Sequence, residues 1–143
     1  MQDAWPGYAS PRPKILLAED HREMRMLVAQ SLRAEGYDVV EVCNGVDLAA
    51  EVRRAELDDD NPRNADLLVI DVRMPGGSGL DCLGALRQTD WLTPAIVITA
   101  FPDARTFDEA MRLGATAVLC KPFELAALTS LVKTLVAPFD DDA

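Results

Sequence analysis

The sequence predicts an α/β fold: a doubly wound, five-stranded parallel sheet flanked by five helices, a (βα)5 chain. Two observations lead there. Short apolar runs of strand length alternate along the chain with longer stretches whose apolar residues recur every three to four positions. Strands separated each time by a helix-length segment pair in parallel, because a parallel neighbour needs a long crossover and the helix provides it. A third observation grades the strands. "LLVI" and "AIVI" are continuously apolar, as strands covered on both faces are, whereas "YDVVEV" alternates like an edge strand.

The elements follow in order. "KILLA" from Lys14 is the first strand, and Met24, Leu27, Val28 and Leu32 mark a helix that stops at Gly36. "YDVVEV" is the second strand; an "NG" turn at Asn44 and Gly45 leads into a helix carried by Leu48 and Val52, with Ala55 as a further member of the stripe. "RRAELDDDNPRNA" is long, charged and broken by Pro62, which predicts a frayed helix end and a mobile loop. "LLVID" is the third strand, Gly76, Gly77 and Gly79 allow a sharp turn after it, and Leu80, Leu83 and Leu86 mark the third helix. "AIVITA" precedes a fourth helix with Phe107, Ala110, Met111 and Leu113, ending at Gly114. "TAVLC" precedes the fifth, with Leu125, Leu128, Val132 and Leu135. The apolar stripes read as core. Residues 1–13 read as a disordered N-terminal segment, 14–138 as the folded domain and 139–143 as an acidic tail.

Composition narrows the function. A chain of 143 residues with 49% hydrophobic content can build one ordinary core without disulfides or metals. Its 14 basic and 24 acidic residues give a net charge of −10, which opposes a phosphate backbone and argues against direct nucleic-acid binding. Cys43, Cys82 and Cys120 are odd in number and widely spaced, so they read as small buried side chains in a reducing cytoplasm. No apolar run approaches the roughly 20 residues of a membrane helix. "MQDAWPGYASPRP" lacks the basic head and apolar stretch of a signal peptide, so the expected location is cytoplasmic, without membrane insertion.

In a doubly wound sheet, ligands gather beyond the carboxyl ends of the strands. Read from the sequence, strand one closes on Glu19 and Asp20, strand three on Asp71, strand four on Thr99 and strand five on Lys121. Three carboxylates, a hydroxyl and an ammonium would then share one cleft. Such crowding of negative charge calls for a hard cation, and carboxylate oxygens with water suit Mg²⁺. Each residue also has a plainer reading. Asp71 could cap a strand end, Glu19 and Asp20 could complement a helix dipole, Thr99 could be an ordinary β-branched strand residue and Lys121 a surface lysine. The coincidence of all five at strand ends favours the reactive reading.

"LAEDH", "IDVRMPGGSG", "VITAF" and "CKPF", in this order and on these strand ends, resemble the receiver domain of two-component response regulators over about Lys14 to Pro138. The resemblance implies a flavodoxin-like fold and a phosphoryl group taken up on Asp71 from a histidine kinase or phosphotransfer protein. It implies Mg²⁺ held by Glu19, Asp20 and Asp71 with the backbone carbonyl at Arg73, and phosphoryl oxygens bound by Thr99 and Lys121. It also implies a cis bond from Lys121 to Pro122 and a downstream protein target. Such a chain phosphorylates and dephosphorylates itself rather than turning over as a conventional enzyme. Only "FDDDA" follows Pro138, so the expectation is a single-domain receiver of the chemotaxis type.

Val118 departs from the family, which often carries Tyr or Phe three residues before the lysine. That departure supports an alternative, a phosphorylation-independent adaptor that docks partners on its fourth and fifth helices. An aspartyl phosphohydrolase ranks lower, because Arg73 stands where a D-x-D motif needs its second Asp. A hydrolase triad of His21 and Ser78 fails because Leu80 replaces the last glycine of G-x-S-x-G, and "GGSG" lacks the P-loop ending. His21 is expected in a loop or first helical turn near the acidic pocket. Arg73 and Phe101 are expected to flank the path of water to the phosphorus.

Overall fold

The computed structural model describes residues 12–57, 65–88, 92–100 and 103–138. Five strands alternate with five helices: β1 Lys14–Ala18, α1 Arg22–Ala34, β2 Asp38–Val42, α2 Gly45–Leu57, β3 Leu67–Asp71, α3 Gly79–Gln88, β4 Ala95–Thr99, α4 Ala104–Arg112, β5 Ala117–Cys120 and α5 Leu125–Leu135. All strand pairs are parallel, in the order β2-β1-β3-β4-β5. The doubly wound sheet expected from the sequence is therefore present. β2 is an edge strand, as its alternation implies, and β3 and β4 are buried along their whole length.

The period of two sorts the strand residues onto two faces. Leu16, Ala18, Leu68, Ile70, Ala95 and Val97 pack with residues of α2, α3 and α4. Ile15, Leu17, Leu67, Val69, Ile96 and Ile98 pack with Val28, Ala29 and Leu32 of α1 and Leu128 and Val132 of α5. Leu128 and Val132 are fully buried, and burying side chains of this size stabilises by roughly 1.5–3 kcal/mol each. They anchor α5, whose N-cap Glu124 makes no side-chain capping bond. Tyr37, buried at the end of α1, ties the other terminus of α5 by donating its hydroxyl to the Val136 carbonyl at 2.5 Å.

Several expectations are corrected. Leu27, Phe107 and Met111 are 57%, 51% and 43% exposed, not core. At 100° per residue Leu27 stands well off the direction shared by Val28 and Leu32, and α4 buries only Ala110. An apolar residue inside the stripe's spacing can thus still miss the core. The cysteines are not fully buried either: Cys43 and Cys82 are half-buried, and Cys120 is exposed at the end of edge strand β5. β1 ends at Ala18 and β5 at Cys120, so Glu19, Asp20 and Lys121 stand just beyond their strands. The Glu19 amide nevertheless continues the sheet by donating to the Val42 carbonyl at 3.1 Å. Asn44 is a helix cap more than a turn residue, its Oδ1 accepting from the Asp47 amide at 2.7 Å. The predicted disordered segment up to residue 11, the loop 58–64, the tail 139–143, the Ala55 side chain and Phe101 lie outside the described residues.

The glycines after β3 divide their work. Gly76 and Gly77 take positive φ values of 79° and 136°, the turn the sequence predicts. Gly79 instead serves close approach: a Cβ there would lie 2.0 Å from the Asp71 carbonyl oxygen and 2.5 Å from Ile70 Cγ2. The Gly79 amide donates to the Val72 carbonyl at 2.8 Å, so the start of α3 rests directly on the backbone of the β3 terminus.

Candidate functional site

The strand order reverses between β1 and β3, and ligand sites form at such a switch point, beyond the carboxyl ends of the strands. Register then decides which residues meet. Ala18 pairs with Ile70, so Glu19 follows beside Asp71; Asp71 pairs with Ile98 and Thr99 with Cys120, which brings Thr99 and Lys121 to the same end. Among the described residues, the buried polar or charged ones are Glu19, Asp71 and Thr99, at 1%, 4% and 1% exposure. Strand ends are where polar groups are ordinarily solvated, so burial of three of them together marks a built site.

Asp71 is gripped on both carboxylate oxygens. Its Oδ2 lies 2.5 Å from Lys121 Nζ, and its Oδ1 accepts from the Arg73 backbone amide at 3.0 Å. Glu19 Oε2 accepts from the His21 amide at 3.0 Å and from Lys121 Nζ at 3.4 Å. Glu19 Oε1 is 3.1 Å from Lys121 Nζ, an ionic contact outside hydrogen-bond geometry, and has no hydrogen-bond partner although it is buried. Oxygen atoms of Glu19, Asp20 and Asp71 lie within 4.8 Å of one another, Asp20 being exposed. The Lys121–Pro122 peptide is cis. A cleft of about 480 Å³ opens on this cluster, lined by Asp20, His21, Arg22, Asp71, Arg73, Ala100 and Lys121. A larger groove between α2 and α3 is lined mainly by apolar residues and lies apart from the chemistry.

The electrostatics leave the cluster short of positive charge. Burial raises the pKa of Glu19 above its ordinary value; the His21 amide opposes that rise, the charge of Asp71 adds to it, and Lys121 offsets part of it. Burial alone would lower the Lys121 ammonium, but its hydrogen bonds and charge contacts with Asp71 and Glu19 outweigh burial and raise it. Lys121 is thus firmly protonated, yet one ammonium faces three carboxylates. A second cation with oxygen affinity suits this donor set: a buried carboxylate oxygen without a hydrogen-bond partner, two further carboxylates within reach and one of them exposed to admit water ligands. The residues fit Mg²⁺.

The structure therefore brings Glu19, Asp20, Asp71 and Lys121 together as the sequence predicts, with Thr99 buried on the adjacent strand. Arg73 enters through its backbone amide, which donates a hydrogen bond to Asp71 Oδ1, and its side chain is exposed. His21 is the N-cap of α1, its Nδ1 accepting from the Met24 amide at 3.2 Å. Sequence reasoning missed Arg25, whose Nη1 donates to the Glu19 carbonyl at 3.0 Å. A signal existed: helical side chains lean toward the N-terminus, so a long cation in the second turn of α1 reaches back over the strand end.

The model of the response regulator receiver domain matches residues 15–133. The transcriptional regulatory protein PdtaR of Mycobacterium tuberculosis is 34% identical over 131 residues, which cover 92% of this chain and 60% of PdtaR. The chain thus spans about three-fifths of that relative's length. The receiver domain of a Francisella response regulator superposes with a TM-score of 0.75 at 27% identity, covering 86% of this chain and 95% of that one. The response regulator TrrA of Thermotoga maritima, solved in complex with Mg²⁺ and BeF, superposes at 0.70 with 27% identity, covering 87% of this chain and 99% of that one.

Proposed function

The chain belongs to the response regulator receiver family, and on that premise we propose that it accepts a phosphoryl group on Asp71 from the phosphohistidine of a sensor kinase or phosphotransfer protein and relays the change to a protein target. The observation that carries this reading is the grip on Asp71, with Oδ2 on Lys121 and Oδ1 on the Arg73 amide, beside an acidic pair at the mouth of a cleft. Held this way, the carboxylate is restrained against rotation and one oxygen can be offered in line to an incoming phosphorus.

In the transfer step an Asp71 oxygen forms a bond to phosphorus as the phosphorus–nitrogen bond of the donor breaks, and the phosphohistidine ring, protonated beforehand on its other nitrogen, keeps the electron pair and leaves as neutral imidazole. Lys121 moves its ammonium from the carboxylate to the transferred phosphoryl oxygens, and the Thr99 hydroxyl donates to another of them. Glu19, Asp20 and Asp71, with the Arg73 carbonyl, would hold Mg²⁺. When bound, the cation neutralises charge on the phosphoryl oxygens. Water attacking the same phosphorus later breaks its bond to the Asp71 oxygen, releasing phosphate and returning Asp71 to its free state, with the exposed Arg73 side chain proposed to flank that approach.

Among the described residues no helix is long and apolar enough to cross a membrane. We assign the protein to the cytoplasm, where its kinase would present the phosphohistidine. The adaptor reading keeps one specific support: Val118, paired with Val97 and partly buried against the core, stands where an aromatic toggle would report phosphorylation. The test is intact mass after incubation with Mg²⁺ and a small-molecule phosphodonor such as acetyl phosphate. One added phosphoryl group is expected in the wild type and none in Asp71→Asn; equal labelling of the mutant would move the acceptor elsewhere, and no labelling of either would favour the adaptor.

A further inference from the structure

We infer that Arg25 is a positioning residue for the metal pocket, fixing the peptide that joins Glu19 to Asp20; the inference rests on the proposed Mg²⁺ site. The Glu19 amide is held by the sheet through Val42, but the strand ends there and the Glu19 carbonyl has left the ladder. Arg25 Nη1 takes that carbonyl at 3.0 Å. The same guanidinium is braced from the other side: Nε lies 3.4 Å from Glu41 Oε1, and Glu41 Oε2 lies 3.0 Å from Arg33 Nη1, whose Nη2 donates to the Val39 carbonyl at 2.9 Å.

Two arginines of α1 are thus forked onto one glutamate of edge strand β2. Arg25 is largely covered, with its side chain 17% exposed, so the arrangement is not a solvated surface pair of small effect. The consequence falls on Asp20. Its carboxylate is the exposed member of the acidic cluster, and its backbone direction follows from the plane of the Glu19–Asp20 peptide, whose oxygen Arg25 holds. Without that donor the peptide can rotate, and an Asp20 oxygen leaves the small volume it shares with Glu19 and Asp71. Charge-assisted hydrogen bonds from a guanidinium are among the stronger restraints available to a carbonyl.

The experiment titrates Mg²⁺ alone into wild type, Arg25→Met, Arg25→Lys and Glu41→Gln by calorimetry, with urea unfolding in EDTA alongside. Arg25→Met is expected to weaken Mg²⁺ binding about tenfold, while labelling at saturating Mg²⁺ stays within twofold of wild type. Arg25→Lys, which keeps one donor for the carbonyl, should recover most of the loss, and Glu41→Gln should lose about twofold to threefold through the slackened brace. Wild-type affinity in Arg25→Met, with only its unfolding midpoint lowered, makes Arg25 a packing residue and overturns the inference. If Arg25→Met does not fold, wild-type affinity in Glu41→Gln overturns it in the same way. Failure of the wild type itself to bind Mg²⁺ would instead refute the metal site on which the inference rests.

Discussion

Replacing Gly79 with alanine tests whether the backbone of Asp71, and not its side chain alone, is positioned by α3. The new Cβ would sit 2.0 Å from the Asp71 carbonyl oxygen, where real Cβ atoms come no closer than 3.0 Å. The two elements must therefore part by about 1 Å. Neither yields easily, because the contact is with backbone, Gly79 is hydrogen-bonded to Val72, and Leu80 and Leu83 hold α3 in the core. Forced separation of packed elements costs typically 1–3 kcal/mol, and a backbone contact this short belongs at the upper end. Misplacing a reacting group by about 1 Å can cost on the order of a hundredfold in rate. Urea unfolding of Gly79→Ala should thus show a loss of about 3 kcal/mol, and the labelling rate with acetyl phosphate should fall by between tenfold and a hundredfold under conditions where the mutant is folded. Gly45→Ala is the internal control, since its Cβ would lie 2.7 Å from the Gly76 carbonyl oxygen and asks for a much smaller shift. A folded Gly79→Ala that labels at the wild-type rate would refute the reasoning, as would equal destabilisation by both substitutions.

Asp20→Ala should abolish Mg²⁺ binding more completely than Glu19→Ala, because Asp20 is the exposed, water-accessible member of the pair; equal losses in calorimetry would assign both as equivalent ligands. The raised pKa of Glu19 makes the folded protein hold a proton to higher pH than the unfolded chain. In EDTA, stability should therefore fall as pH rises from the ordinary glutamate range through the folded pKa, and level off above it. Glu19→Gln removes this dependence, and a mutant as pH-sensitive as wild type in urea unfolding would show that another group is responsible. With beryllofluoride and Mg²⁺, hydrogen exchange should change most in α4, which buries only Ala110, and less in β5, where Val118 is packed. Unchanged exchange in α4 with the mimic bound would uncouple Asp71 from the output.

The sequence reveals the elements and the membership of the site because both are written in local signals. Period two and period 3.6 separate strand from helix, and β3 and β4 announce their burial by being apolar up to their last residues, Asp71 and Thr99. The strand order is not local. Nothing in "KILLA" says that β1 lies between β2 and β3, and the adjacency of Glu19 to Asp71 follows from that order. Side-chain direction is equally hidden: Leu27, Phe107 and Met111 satisfy a helical spacing but lie on the solvent side. Gly79 looks like a third turn glycine until the 2.0 Å approach is measured. Arg25 has no motif at all, since its role depends on a carbonyl and on Glu41 of another strand.

The ammonium of Lys121 reaches back 102 residues to Glu19 and 50 to Asp71. Contacts that distant in sequence close only after the intervening chain has been ordered, since loop closure must precede their reward. During synthesis, therefore, the nucleophile and the acidic pair emerge well before the lysine that completes them. On the proposed reading, a growing or partly folded chain would carry Asp71 without its counter-charge and be a poorer phosphoryl acceptor than the finished molecule. An Asp71 ready to accept a phosphoryl group would then also mean that β5 has joined the sheet, since Lys121 follows directly on its last residue.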